Sequence, residues 1–205
     1  MNEYSFIYRR EKCPVKTAHK RNDIMQAALE LIARKGFHGA PMAEIAEKAE
    51  VAAGTIYRYF ENKETLITEL HRWLEEKIGT VIRKDYPIDL PLRERFLYLI
   101  RGLLHYLIAH PFHFRYMEQY FNSPYGISLH RDRLLAKPGN QDMIMEIFDQ
   151  GVERQVIKAL PKAVLFSLAF GPLIALVRDH VMGFINLDAS LIDRIAEACW
   201  DAIKR

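Results

Sequence analysis

Apolar residues return at three- and four-residue steps along most of the chain. Over residues 21–35, Ile24, Ala27, Ala28, Leu31 and Ile32 form one stripe, and the helix it predicts ends at Gly36. Met42, Ile45, Ala46 and Ala49 mark a second, short helix, with Pro41 suited to its first turn and Glu44, Glu47 and Lys48 off the stripe. A third is expected over residues 53–60. Asn62 is the expected N-cap of a fourth starting at Lys63, in which Leu66, Leu70, Trp73 or Leu74, Ile78 and Val81 repeat. Beyond a connector at 86–91, the same periodicity predicts helices at 92–109, 112–121, 142–158, 162–182 and 191–204. Pro124, Gly126, Pro138 and Gly139 mark 122–140 as a loop with room for one helical turn. No stretch alternates with period two, so the fold class is all-α.

Composition narrows the class. Half of the 205 residues are hydrophobic and 27% are charged, which excludes a disordered chain and a low-complexity fibre. The net charge of +3 is unevenly placed: residues 1–21 carry six basic groups against Glu3 and Glu11, and the remainder holds 23 basic and 24 acidic residues. The surplus therefore sits in a short leading arm, which points to a polyanionic partner. Cys13 and Cys199 build neither a disulfide framework nor a CxxC metal site. The first thirty residues have no apolar run of secretory length, so a cytoplasmic protein is expected. The longest uncharged stretch, 163–177, is broken by Gly171 and Pro172 and reads as too short to span a bilayer, so no membrane partner is expected.

Ile45, Ala46, Ala49, Val51, Ile56 and Tyr59 have the spacing of a helix-turn-helix. A tight turn at 50–52 would aim the third helix outward, presenting Thr55, Arg58 and Tyr59, with Tyr57 within reach of phosphate. Arginine binds guanine at two atoms, and a threonine methyl touches a thymine methyl.

The segment VAAGTIYRYFENKETL, from Val51 to Leu66, resembles the third and fourth helices of TetR-type transcriptional regulators, through Gly54, Thr55, Tyr57, Phe60, Lys63 and Glu64. Upstream, Gly36, Phe37, Gly39, Ile45 and Ala46 match the same pattern. The charge marks a basic arm over 1–20, and the resemblance implies a DNA-binding domain over 21–68 and a helical ligand-binding and dimerisation domain over 69–205. It also implies that Gly54, Thr55, Tyr57, Arg58, Tyr59 and Lys63 contact DNA, Lys63 through a phosphate. Phe60 reads instead as core. The chain departs from the family pattern at Ala40 and Pro41, where a hydroxyl residue is frequent, at Glu50, where glycine is common, and at Ala52 and Ala53.

Ten of the 23 aromatic residues fall between Tyr86 and Tyr125. Such a cluster suits a helical core as well as a ring-lined pocket. With the resemblance, Phe96, Tyr106, Tyr116, Tyr120 and Phe148 are the expected lining of a site for a small apolar or aromatic inducer. His105, His110 and His113 with Glu118 lack metal-site spacing, and neither a metal nor a cofactor is expected. The stripe Ile192, Ile195, Ala196, Cys199, Ala202 and Ile203, with the apolar helix at 162–182, is expected to pair with its copy in a dimer. The implied function is a homodimeric repressor on a palindromic double-stranded DNA operator, released by the inducer. Alternatives are a DNA-binding adaptor controlled by a protein partner, and an enzyme using the aromatic and histidine region. No nucleophile, carboxylate-pair or phosphate-loop motif supports the enzyme.

Overall fold

The computed structural model describes residues 14–127, 131 and 143–205, with side chains from His19 onward. Its helices are α1 (Pro14–Lys35), α2 (Met42–Lys48), α3 (Ala53–Ile56), α4 (Lys63–Arg83), α5 (Leu92–Ala109), α6 (Pro111–Phe121), α7 (Met143–Glu153), α8 (Lys162–Val181) and α9 (Ala189–Ile203). Among the described residues there is no strand, only a single bridge between Ile157 and Lys204. The chain divides into two compact units, one ending at Ile67 and the other Thr68–Arg205.

In the first unit α2 packs against both α1 and α3. Ile24, Ala28, Ile32, Ile45, Ala46, Ile56 and Phe60 are almost fully buried, each large side chain contributing about 2 kcal/mol by leaving water. Ion pairs tie α2 to α1: Lys35 to Glu44, and Lys48 Nζ to Glu30 at 3.0 Å. The Lys48 ammonium, with help from Gln26, holds the Glu30 carboxyl below its usual range. Helix α1 ends at Gly36, whose φ of 75° suits a residue without a side chain. It begins seven residues before the expected start, because the apolar stripe is first legible at Ile24 and the earlier turns carry none of it. The basic arm before Pro14 lies outside the described residues.

In the second unit α5 is central, packed against α6, α7, α8 and α9. Phe96 lies fully buried with its ring 5.4 Å from that of Trp200. Arg95, 5% exposed, donates from Nε to the Tyr86 hydroxyl at 3.0 Å and from Nη1 to Gln150 Oε1 at 3.2 Å, linking the connector, α5 and α7. Helix α7 stops at Glu153, short of the expected 158, because Gln155 adopts φ 58°. Val156 N then bonds Gly151 O at 2.8 Å and Gln155 N bonds Val152 O at 3.1 Å, the paired closure that ends a helix through a left-handed residue. Of the expected loop at 122–140, residues 124–127 are helical and most of the rest lies outside the described residues.

Helix α8 runs through Pro172 for 20 residues, within one residue of the helix expected at 162–182. Proline removes one backbone donor, the one that would bond the carbonyl of Leu168, a residue on the exposed face of the helix. By length and mean hydropathy alone α8 would suffice to cross a membrane. Its stripe of Leu165, Ala169, Leu173 and Val177 is instead buried in the unit, where α8 packs on α5 and α9. The stripe on α9 is also turned inward: Ile192, Ile195, Ala196, Cys199 and Ile203 are buried within the chain. Among the described residues an apolar face is left outward on α8, through Val164 and Leu168, followed by Met182 and Phe184.

Candidate nucleic-acid interface

The turn between α2 and α3 is fixed by backbone geometry. Glu50 takes φ 53°, Glu50 N bonds Glu47 O at 3.0 Å, and Val51 N bonds Ala46 O at 2.9 Å. Both bonds satisfy carbonyls at the end of α2, and the left-handed residue costs about 1 kcal/mol because it is not glycine. Helix α3 is shorter than the expected 53–60. Thr55 N bonds Ala52 O at 2.7 Å, Arg58 N bonds Thr55 O at 3.1 Å and Tyr59 N bonds Ile56 O at 3.0 Å, so the segment winds tightly, three residues per bond, on either side of one α-turn. Ile56 and Phe60, both fully buried, anchor this segment from below. The Arg21 guanidinium stands over the Phe60 ring at 5.4 Å. A residue read as part of the basic arm thus serves the core, an internal use that its charge alone concealed.

Above these anchors, Gly54, Tyr57 and Arg58 are exposed, and Thr55 and Tyr59 are half-buried beside them. Gly54 has neither a positive φ nor a neighbour that a side chain would meet: a Cβ built there finds nothing within 4 Å. Glycine inside a helix costs about 1 kcal/mol relative to alanine, and no contact within the chain requires it here. The space above α3 is therefore open for a backbone approaching from outside.

Lys63 opens α4, where Asn62 Oδ1 accepts from Thr65 N at 2.8 Å and caps the helix as its sequence position predicts. The Lys63 ammonium donates to the Phe37 carbonyl in the loop after α1, and burial lowers its pKa from the ordinary lysine value. One of its three donors is thus spent inside the unit, and the phosphate role expected for it falls to the others.

All five aromatic residues expected to line a ligand site are buried. Phe96, Tyr116, Tyr120 and Phe148 are buried in the core of the second unit. Tyr106 borders a groove of about 740 Å³ that also runs past Val81, Leu90, Arg101, Gly102 and His105. The stripe of Glu94, Tyr98, Arg101 and His105 reads in the sequence as a solvent face, and it is the end of α4 and the connector that make it a groove. Of the residues weighed as metal ligands, two have partners inside the unit. His113 Nδ1 is 2.8 Å from the Tyr106 hydroxyl, and Glu118 pairs with Arg178.

The profile of bacterial regulatory proteins of the tetR family matches residues 24–70, and that of the tetracyclin repressor-like C-terminal domain matches residues 91–204. The chain belongs to the TetR family of transcriptional regulators. The TetR families that match are regulators and not enzymes. Over 182 residues the chain is 25% identical to an uncharacterized HTH-type transcriptional regulator of Haemophilus influenzae, covering 89% of this chain and 94% of the relative. It is 33% identical to a TetR-family protein of Vibrio parahaemolyticus of known structure, with a TM-score of 0.71 over 91% of this chain and 99% of that one. The FadR regulator of Bacillus subtilis, solved in complex with stearoyl-CoA, shares the TetR fold with a TM-score of 0.69 at 23% identity, over 89% of this chain and 98% of its own.

Proposed function

We propose that this TetR-family regulator is a cytoplasmic homodimeric repressor that reads a palindromic double-stranded DNA operator through α3 and is released by a small molecule bound in the second unit. The observation that carries the reading is the exposed constellation of Gly54, Tyr57 and Arg58 on a short helix held from beneath by Ile56 and Phe60. Thr55, Tyr59 and Lys63 complete the contact surface. Arg58 reads a base edge, and Tyr57 and Lys63 position the backbone. The outward apolar face of α8 is the surface through which two copies would associate, giving the operator its two-fold symmetry. Ligand release requires only that the small molecule bind the two conformations unequally. The groove beside Tyr106 supports a small molecule as effector, whereas the filled core around Phe96, Tyr116, Tyr120 and Phe148 favours the second reading, control by a protein partner.

Selection of bound duplexes from a random library tests the reading. Enrichment of a palindrome is expected, with Arg58→Ala relaxing base preference at one position per half-site and Lys63→Ala weakening all sequences alike. A library that yields no palindrome would overturn it.

A further inference from the structure

The loop between α1 and α2 is short and tightly held. Gly36 N bonds Ile32 O at 2.8 Å and Gly36 takes φ 75°, so the chain turns away from α1 at once. At Gly39 a Cβ would lie 2.3 Å from the Lys35 carbonyl oxygen, so only glycine lets the loop fold back on the last residue of α1. Ala40 is fully buried, and Lys35 pairs with Glu44 across the base of the loop. The Lys63 ammonium, donating to the Phe37 carbonyl, ties the loop to the start of α4, three residues after Phe60 and five after Arg58. With Phe37 and Gly39 both fixed, the residue between them is fixed as well. His38 is exposed, and among the described residues nothing bonds its ring. In the stretch 36–41 it is also the sole side chain able to form a hydrogen bond, since Ala40 and Pro41 stand where a hydroxyl residue is frequent in the family.

We propose that His38 is a DNA-contacting residue that shares one backbone phosphate with Lys63, its position set by the bond from Lys63 to the Phe37 carbonyl. Covalent geometry brings the two together: the Phe37 carbonyl belongs to the peptide that carries the His38 nitrogen, so the His38 Cα stands within about 5 Å of the Lys63 Nζ. The bond to Phe37 engages one ammonium hydrogen and leaves the others, and the imidazole adds a donor of its own. The two non-bridging oxygens of a phosphodiester give each side chain an acceptor. Of the flanking carboxylates, Glu44 is paired with Lys35 and Glu64 is exposed to solvent, where screening weakens its repulsion of a phosphate. Contacts of this kind fix register and orientation on the duplex and read no base. The inference rests on the reading of α3 as the DNA-contacting segment and adds a positioning contact beside it.

Fluorescence anisotropy of the full-length protein on its selected operator and on a random duplex tests it. His38→Ala should weaken both by about tenfold, the worth of a hydrogen bond to a charged group, and leave base preference unchanged. His38→Lys should restore the affinity with a salt slope about 0.9 steeper than that of His38→Ala, because a fixed charge displaces a counterion. A merely structural role would not move that slope. In a Lys63→Met background, where the loop is untied, His38→Ala should cost less than about twofold. Circular dichroism of each variant checks the fold, and should Lys63→Met not fold, the His38 variants alone carry the decision. Unchanged affinity in His38→Ala, equal slopes for the lysine and alanine variants, or an equal cost of His38→Ala with and without Lys63 would overturn the proposal. A wild type that selects no operator refutes the regulator reading, with the random duplex still reporting on His38. One that holds its operator in spite of His38→Ala refutes only the shared phosphate.

Discussion

His113 should make the protein lose stability with acid over a defined range. Its ring is 9% exposed, meets the Trp73 ring edge-on at 6.3 Å and has the Tyr106 hydroxyl 2.8 Å from Nδ1. Burial pushes its pKa down to about 4, with the positive charges of His110 and Lys77 adding to the effect. In the unfolded chain the same imidazole titrates near 6.5. Above about pH 6.5 both states are neutral and the group adds no pH dependence. Below it the unfolded chain takes up a proton that the folded chain refuses, so stability falls until the pH reaches about 4. A gap of about 2.5 units corresponds to about 3 kcal/mol in all, with a slope of at most about 1.4 kcal/mol per pH unit. Urea unfolding of the wild type and of His113→Gln, at steps from about pH 7.5 to about pH 4.5, isolates the residue, since the remaining groups titrate in both proteins. The wild type should lose about one proton's worth of stability per pH unit more than the variant. Parallel pH profiles for the two, or an NMR titration of His113 with a midpoint above 6, would refute the reasoning.

Glu50→Gly should raise the unfolding free energy by about 0.5 to 1 kcal/mol, because glycine relieves the left-handed turn at φ 53° yet frees the unfolded chain; a lowered midpoint in urea would contradict it. Gly54→Val should leave unfolding within about 1 kcal/mol of wild type, since its side chain enters open space, while operator affinity in a gel-shift assay falls by about tenfold or more; unchanged affinity would remove α3 from the interface. Leu168→Glu, on the outward face of α8, should shift sedimentation toward the monomer, and an unaltered dimer would place the association surface elsewhere.

The helical periodicity made most of the architecture legible, and where it failed the cause was local. Gln155 and Glu50 both adopt the left-handed conformation that a reader assigns to glycine, so the end of α7 was invisible in residue types, although Glu50 stands where the family resemblance calls for a turn. The start of α1 carries no apolar stripe to read. In the site, Gly54, Tyr57 and Arg58 were legible because the motif is contiguous in sequence and its buried partners, Ile56 and Phe60, alternate with it on one turn. The groove was not, because it takes Val81 from α4, Leu90 from the connector and Arg101 and Gly102 from α5. Aromatic content alone misled: Phe96, Tyr116, Tyr120 and Phe148 fill the core, and rings in a core leave the same trace in composition as rings around a cavity.

The distribution of charge yields one further prediction. Within the first unit, Lys35 and Lys48 are engaged with Glu44 and Glu30, Lys63 donates to a carbonyl, and Arg21 covers Phe60. Much of the described basic charge of this unit therefore holds the bundle together, while Arg58 is directed outward on α3. Duplex binding needs several neutralised phosphates to reach operator affinities, and each contributes a slope of about 0.9 in the logarithm of affinity against the logarithm of salt concentration. Arg9, Arg10 and Lys12 precede the first residue of α1, so removing residues 1–13 leaves that helix whole. If those three groups grip phosphate, the truncated dimer should bind its operator with a slope shallower by up to about 5, six contacts at about 0.9 each, and with base preference at the Arg58 position retained. Fluorescence anisotropy across a salt series measures both. A slope identical to that of the full chain would assign the phosphate contacts to α3 and the start of α4 alone.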